Sequence, residues 1–315
     1  MKITLISYVI SGDIMKKRLF QCLLLAIFFY LLWNGKINFE KSSEALTLWF
    51  ETLVPSMFCV LVLVRVIFTY GGLQLLAKPF ACLFSKLLNI DKDSFVYVIA
   101  MMLLGFPAGA AFINGEVKNG NLSKAEARRL LYTCSFATPG FILMTLGNVL
   151  FHDTRIGIYL FLIQIGSGLM LLILSRNQPI RAKTIQREHH LMFADVLAKA
   201  IKDSGMTLYM MGGYLMLCMS VVSLITQYLP HPLAMALNVI SEFSSGCIRL
   251  YQLPLTSEQL LILISMLLSF GGLCVHMQVI CMSEEAAPIY RKYISFRLLQ
   301  VLLSALLCSL TLMLF

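Results

Sequence analysis

Apolar stretches of membrane-spanning length recur along almost the whole chain, and this restricts the fold more than any other feature. Residues 46–70, 95–114, 136–151, 156–174, 206–229, 232–248, 260–281 and 296–315 are predominantly apolar. A helix needs about 20 such residues to cross the roughly 30 Å hydrocarbon core. Charged residues make up 13% of the 315, against about 25% in soluble domains. With mean hydropathy at +0.82, the surface must be wetted largely by lipid. The length allows roughly 7–9 segments of about 20 residues, and a soluble enzyme is excluded.

The net charge of +9 follows from membrane topology, because Lys and Arg collect on the cytoplasmic side, next to anionic lipid. No nucleic-acid-binding motif accompanies it, so the expected partner is the bilayer and not nucleic acid. The nine cysteines form no CxxC pair and sit mostly in apolar runs. They read as small hydrophobes, so no disulfide framework, metal site or cofactor is expected.

Lys16-Lys17-Arg18 precede an apolar run over residues 19–33 that ends in Trp33-Asn34-Gly35. Lacking a small-x-small cleavage site, it reads as a retained anchor rather than a signal peptide. Either Met1 or Met15 could be the start. Residues 1–44 are taken as anchor helix and loop, 45–175 as a first repeat, 176–204 as a basic cytoplasmic loop with a surface helix, and 205–315 as a second, inverted repeat. Residues 73–90, with Lys78, Pro79 and Lys86 among Leu and Phe, predict an amphipathic interfacial helix.

Residues 95–114 are split by Gly105-Phe106-Pro107-Ala108-Gly109. Proline removes a backbone donor and glycine loosens the helix. Within lipid such a break persists only where protein or water satisfies the freed groups. A kinked helix is one reading, and a re-entrant hairpin with its tip at this motif is the favoured one. Ser123-Lys124-Ala125-Glu126 predicts a capping box opening a short charged helix. Further breaks are expected at Pro139-Gly140 and at Gly271-Gly272.

Features recur about 135 residues apart. Ser135-Phe136 with Pro139-Gly140 answers Ser269-Phe270 with Gly271-Gly272, and Leu104-Gly105-Phe106-Pro107 answers Ser241-Glu242-Phe243-Ser244. Matching breaks in two halves mark repeat-built transporter folds. With the N-terminus inside, each basic cluster falls on the cytoplasmic face: Lys118 to Arg129, Arg176 to Lys202 (with Lys183 and Arg187), and Arg291, Lys292 and Arg297. One hairpin then enters from inside and the other from outside. The expected fold class is therefore all-α: a polytopic membrane protein with two inverted-topology repeats containing broken or re-entrant helices.

The order Leu-Gly-Phe-Pro-Ala-Gly-Ala at 104–110, Ser-Lys-Ala-Glu-Ala-Arg-Arg-Leu at 123–130 and Ser-Phe-Ala-Thr-Pro-Gly-Phe at 135–141 resembles the YlbJ-type sporulation integral membrane proteins. Ser-Phe-Gly-Gly-Leu-Cys-Val-His-Met-Gln-Val at 269–279 and Phe-Arg-Leu-Leu-Gln at 296–300 extend the resemblance into the second half. It covers roughly residues 45–310 and implies the Gate, or nucleoside-recognition, domain family. It further implies a cell-membrane protein of spore-forming Firmicutes, with a fold akin to concentrative nucleoside transporters. The chain departs from the family pattern at Cys134-Ser135-Phe136-Ala137-Thr138, where a polar Asn-Thr is expected. It departs again at Gly105-Phe106-Pro107, where Gly-Tyr-Pro and a following Lys are expected. Both changes remove polarity.

Ionisable groups within spans are functional candidates. Glu242 and His276 are expected to meet at the pseudo-two-fold centre as a proton- or cation-sensitive pair. The alternative puts Glu242 at the outer interface and His276 on a backbone carbonyl. Ser135, Thr138, Ser269 and Gln278 are candidate partners for a small polar solute, nucleosides among the candidates, beside the freed backbone. Interhelical hydrogen bonding is their plainer role. Arg65 and Glu51 are assigned to the interfaces, and His189-His190 to the solvated loop. Without a P-loop, GxSxG or HExxH, no enzyme is expected. The expected function is transporter-like movement or sensing of a small polar solute in sporulation. The rival is a non-transporting scaffold for spore-envelope assembly, working with other sporulation membrane proteins.

Overall fold

The computed structural model describes residues 2–182 and 192–314, with side chains from residue 16 onward. Lys183, Arg187, His189 and His190 lie outside the described residues. Among those described, the only strand-like pairing is an isolated bridge between Ile90 and Ile180, and the rest is helix and connection. Among the described residues, five helices are long and apolar enough to cross a membrane: Gly35–Thr69, Thr154–Leu174, Phe193–Thr226, Ser257–Met282 and Tyr290–Leu314.

The chain opens with α1 (Lys2–Trp33) and, after Asn34, continues in α2 (Gly35–Thr47) and α3 (Val54–Thr69). A π-helical turn over Leu48–Leu53 joins these last two, so one helix runs from Gly35 to Thr69. This corrects the loop expected before residue 45. Lys41, Glu44 and Arg249 explain the difference: Glu44 pairs with Lys41 at 2.6 Å and with Arg249 at 2.7 Å. The π turn lies just ahead of Pro55, which has no N–H for the carbonyl four residues back. The ladder shifts there, and Val54 N–H donates to the Trp49 carbonyl.

Next come α4 (Gly72–Leu88), α5 (Phe95–Leu104), α6 (Ala108–Lys118) and α7 (Lys124–Thr133). An open stretch over residues 134–139 leads into a π-helical segment, Gly140–Leu150, and then α8 (Thr154–Leu174). α4 buries Leu73, Ala77, Ala81, Ser85 and Leu88 along one stripe and turns Leu75, Leu76, Leu83 and Leu87 outward. The capping box at α7 forms, with Ser123 Oγ accepting from Glu126 N–H and Glu126 accepting from Ser123 N–H.

The later part comprises α9 (Phe193–Thr226), α10 (His231–Ser241), α11 (Phe243–Tyr251), α12 (Ser257–Phe270), α13 (Gly272–Met282) and α14 (Tyr290–Leu314). α9 packs along α2 and α3, while α8, α12 and α14 pack on one another. α14 shows most directly what solvent surrounds the molecule. Its outward face is Leu298, Leu302, Leu306 and Leu310, and its buried face is Tyr293, Arg297, Gln300, Ser304 and Cys308. A face more apolar outside than inside suits lipid and would be costly in water.

Candidate functional site

Four interruptions of the helices converge. α5 and α6 are joined through Gly105-Phe106-Pro107, α10 and α11 through Glu242 alone, and α12 and α13 through Gly271. The fourth interruption is residues 134–139. α5, α6, α10 and α11 have 10, 11, 11 and 9 residues. At 1.5 Å per residue each rises about 15 Å, half of a hydrocarbon core. α5 packs on α6, and α10 on α11, as arms of two helical pairs.

Within each half the breaks interlock by backbone. Phe106 N–H donates to the Phe136 carbonyl at 2.6 Å. Gly105 has φ +63°, and a Cβ there would lie 2.7 Å from Thr138 N. Gly271 and Gly272 have φ +87° and +82°, and a Cβ on Gly272 would lie 3.1 Å from Phe243 N and Ser241 O. Only glycine meets both demands, positive φ and close backbone approach. Gly140 is held differently, with its Cβ position 2.1 Å from the Ser56 carbonyl on α3. Gly109 corrects an expectation. It lies inside the first turn of α6, close against Met101 rather than in the break. Pro107 caps α6, and Pro139 immediately precedes the π-helical segment.

Between the halves the junction is aromatic. The Phe243 ring meets Phe106 at 5.2 Å and Phe141 at 5.1 Å, both edge-on, and Phe106 also covers Gly271. A groove of about 350 Å³ opens between α2 and α9, lined by Leu46, Trp49, Tyr209, Gly212 and Leu217.

Glu242 and His276 are both buried, but they do not form the expected pair. The Glu242 carboxylate caps α11, accepting from Ser244 N–H at 3.0 Å, Ser245 N–H at 2.6 Å and Ser244 Oγ at 2.7 Å. Orphan amides at a helix start hold a carboxylate well, so this anion is already served where it sits. His276 instead sits edge-on between Phe270 and Tyr293, with Nδ1 3.3 Å from the Tyr293 hydroxyl. Ser135 Oγ donates to the Leu131 carbonyl, and Thr138 Oγ1 accepts from Phe141 N–H. Gln278 Nε2 donates to Cys274 Sγ at 3.2 Å. Ser269 Oγ, His276 Nε2 and Gln278 Oε1 are buried with no hydrogen-bond partner. Outside this region, Arg65 reaches Thr207 at 3.3 Å and Glu51 is exposed. Among the described residues no cluster of His, Cys, Asp or Glu is arranged to hold a metal ion.

Two buried arginines escaped the sequence reading, which put both in the cytoplasm. Arg297 is 1% exposed and donates to the carbonyls of Ser135 at 2.8 Å and Tyr132 at 2.5 Å, while its Nε has no partner. Its signal lay in the spacing 293, 297, 300, 304, 308, a polar stripe on an otherwise apolar helix. Arg129, equally buried, is bonded through every nitrogen: Nε to Ser175 Oγ, Nη1 to the carbonyls of Asn89 and Gln178, and Nη2 to those of Leu88 and Leu172. Glu116 is a third such group, accepting from Tyr97 and Asn121 at 3.0 Å each.

The helical architecture and its inside-out polarity define a multi-pass integral membrane protein. Among curated proteins, the chain is 26% identical over 340 aligned positions to the sporulation integral membrane protein YlbJ of Bacillus subtilis (strain 168), covering 88% of this chain and 79% of that relative. No family model matches the chain, and no solved structure matches it.

Proposed function

We propose that this protein binds a small polar solute carrying a negative charge at the junction of its four helix interruptions, and passes it across the membrane during sporulation. The observation that carries this reading is Arg297. It is a fully buried guanidinium beside the broken segment 134–139, hydrogen-bonded to two carbonyls, lying over the Tyr293 ring at 5.6 Å and with Nε unpartnered. A buried cation without an anion is expensive in a membrane protein and marks a functional position. Arg129 supplies the contrast: its five bonds leave nothing for a ligand. His276 Nε2 and Ser269 Oγ add further unpartnered polar atoms in the same half. The two halves would act as inverted Gate-like repeats, one rocking against the other. The sporulation setting rests on what the relative's name says of that protein.

A second reading, a scaffold for envelope assembly, is favoured by the contact of Phe106, Phe141 and Phe243, which fills the junction with rings. Proteoliposome uptake separates the two. Small carboxylates and phosphates, tested beside neutral nucleosides, are expected to be taken up by the wild type. Arg297→Gln should abolish uptake of the anions, while Glu242→Gln changes it less. If no solute of either class moves or raises the thermal stability of the purified protein, the scaffold reading replaces this one.

A further inference from the structure

We infer that residues 283–289, the connector between α13 and α14, form a releasable strap that shuts the junction on the face richest in Lys and Arg. The inference takes the solute reading as its setting, but its test reads closure itself. The strap is stitched to the first half at five points. Glu284 pairs with Lys118 at 3.2 Å and Glu285 with Lys124 at 2.8 Å. Glu285 N–H donates to Asn114 Oδ1 at 2.8 Å, Arg128 Nε donates to the Ala287 carbonyl at 2.9 Å, and Ile289 N–H donates to the Tyr132 hydroxyl at 3.0 Å.

The register of these contacts is regular. Lys124, Arg128 and Tyr132 lie one turn apart on a single face of α7 and take strap residues 285, 287 and 289 in turn. One helical turn rises about 5.4 Å, and two residues of open chain reach about as far, so the strap runs along α7 without slack. Asn114 and Lys118, also one turn apart, tie the same strap to α6. α6 and α7 flank the tip at Gly105 and the open stretch at 134–139. A solute leaving the junction on this face must therefore part the strap from both helices.

The stitches are of a kind that can open. The four ion-pair side chains are 46–71% exposed, and such pairs are weak and screened by salt. Ala286, between them, is fully buried and gives the strap its seat. Glu284, Glu285, Lys118 and Lys124 are the charged groups that decide the balance.

Cys134 reports on closure in the protein as it exists, since it is buried at the end of α7 beside Ser135. Cys308, buried on α14 against Tyr159, reports on global loosening. The experiment is modification of the protein in nanodiscs by a small anionic thiosulfonate, followed at each cysteine by mass spectrometry. Glu284→Gln with Glu285→Gln should speed modification of Cys134 about fivefold, given the weakness of exposed pairs, and leave Cys308 unchanged. Lys118→Gln with Lys124→Gln should do the same, 0.5 M salt should raise the wild-type rate, and the fourfold charge exchange K118E/K124E/E284K/E285K should restore it. An unchanged Cys134 rate in both glutamine variants, or an equal rise at Cys308, overturns the strap. A selective rise at Cys134 without flux of any solute supports the strap and removes the transport reading.

Discussion

Replacing Arg129 tests whether one buried cation holds two helix ends together. Its guanidinium donates at 2.6 Å and 3.2 Å to the carbonyls of Leu88 and Asn89, where α4 ends. It also donates at 3.0 Å to Leu172 in the last turn of α8, and at 2.6 Å to Gln178 beyond it. Helix C-termini carry partial negative charge and unpaired carbonyls, so this cation satisfies both electrostatics and hydrogen bonding. Arg129→Ala would leave the buried Leu88 carbonyl without its side-chain donor and take one bond from each of the other three, of which Asn89 keeps the Ile180 N–H and Leu172 keeps the Ser175 hydroxyl. Each such loss costs about 1–3 kcal/mol. The losses share one donor and partly relax, so the total should be about 3–5 kcal/mol. Arg129→Lys keeps the charge but offers three donors from a single point in place of a planar fork, and should lose about 2 kcal/mol. Unfolding in mixed micelles titrated with sodium dodecyl sulfate measures the series. If Arg129→Ala falls within about 1 kcal/mol of wild type, the account of α4 and α8 joined through this residue is wrong.

Gly140→Ala should be destabilised by about 3 kcal/mol, at the upper end for overpacking, because its Cβ would stand 2.1 Å from the backbone carbonyl of Ser56; a thermal midpoint near wild type would refute the close approach to α3. Gly115→Ala has nothing within 4 Å of its Cβ and should stabilise by about 0.5–1 kcal/mol through helix propensity, read from the same midpoint. Burial pushes the Glu126 carboxyl up, but hydrogen bonds from the Ser123 hydroxyl and from the backbone N–H groups of Arg181 and Ser123 together hold it below the usual carboxylate range. A depressed folded pKa gives stability that is present above the unfolded value of about 4.3. It is lost as pH falls through the folded value, so the advantage of wild type over Glu126→Gln should be flat above about pH 5.5 and shrink on acidification; a gap independent of pH would contradict this.

The helical class was legible because lipid imposes a simple code: long apolar runs become helices, and their lengths can be counted. Local chemistry was legible too, as at Ser123 and Glu126, where a cap depends on four consecutive residues. Gly105 and Gly272 could be singled out because a positive φ beside a close backbone narrows the choice to glycine. What stayed hidden depends on distant partners. The polar string Lys36, Glu40, Lys41, Glu44 reads as loop, yet it is helical, with Glu44 paired to Arg249 some 205 residues away. Arg297 reads as a cytoplasmic charge by the positive-inside rule. That rule counts charges near span ends and does not tell which way a side chain points into the bundle. Glu242 and His276 were paired by type and by an assumed symmetry, but two orphan amides at the start of α11 were nearer to the carboxylate than any imidazole.

The contacts at the junction differ in kind according to whether they lie within a half or between halves. Within a half they are backbone bonds and glycine-sized approaches, such as Phe106 N–H to the Phe136 carbonyl or Gly272 against Ser241 and Phe243. These are stiff, because breaking them in a water-free site strands a donor or an acceptor. Between halves the central contacts are ring edges, which can slide at the loss of dispersion alone. Polar ties cross between the halves as well, such as Gln164 Nε2 to the Leu268 carbonyl and Gln300 Nε2 to Ser167 Oγ, and Arg297 on α14 adds a charged one, binding carbonyls of residues 132 and 135 in the other half. It therefore resists the relative motion that the ring contacts permit. On the proposed reading, an anion that takes the guanidinium competes with those carbonyls and loosens this tie, so binding and movement are linked through one side chain. A scaffold would have no use for such competition. In it, Arg297→Gln should behave as a simple loss of stability, with no change in the exposure of Cys134 when anions are added.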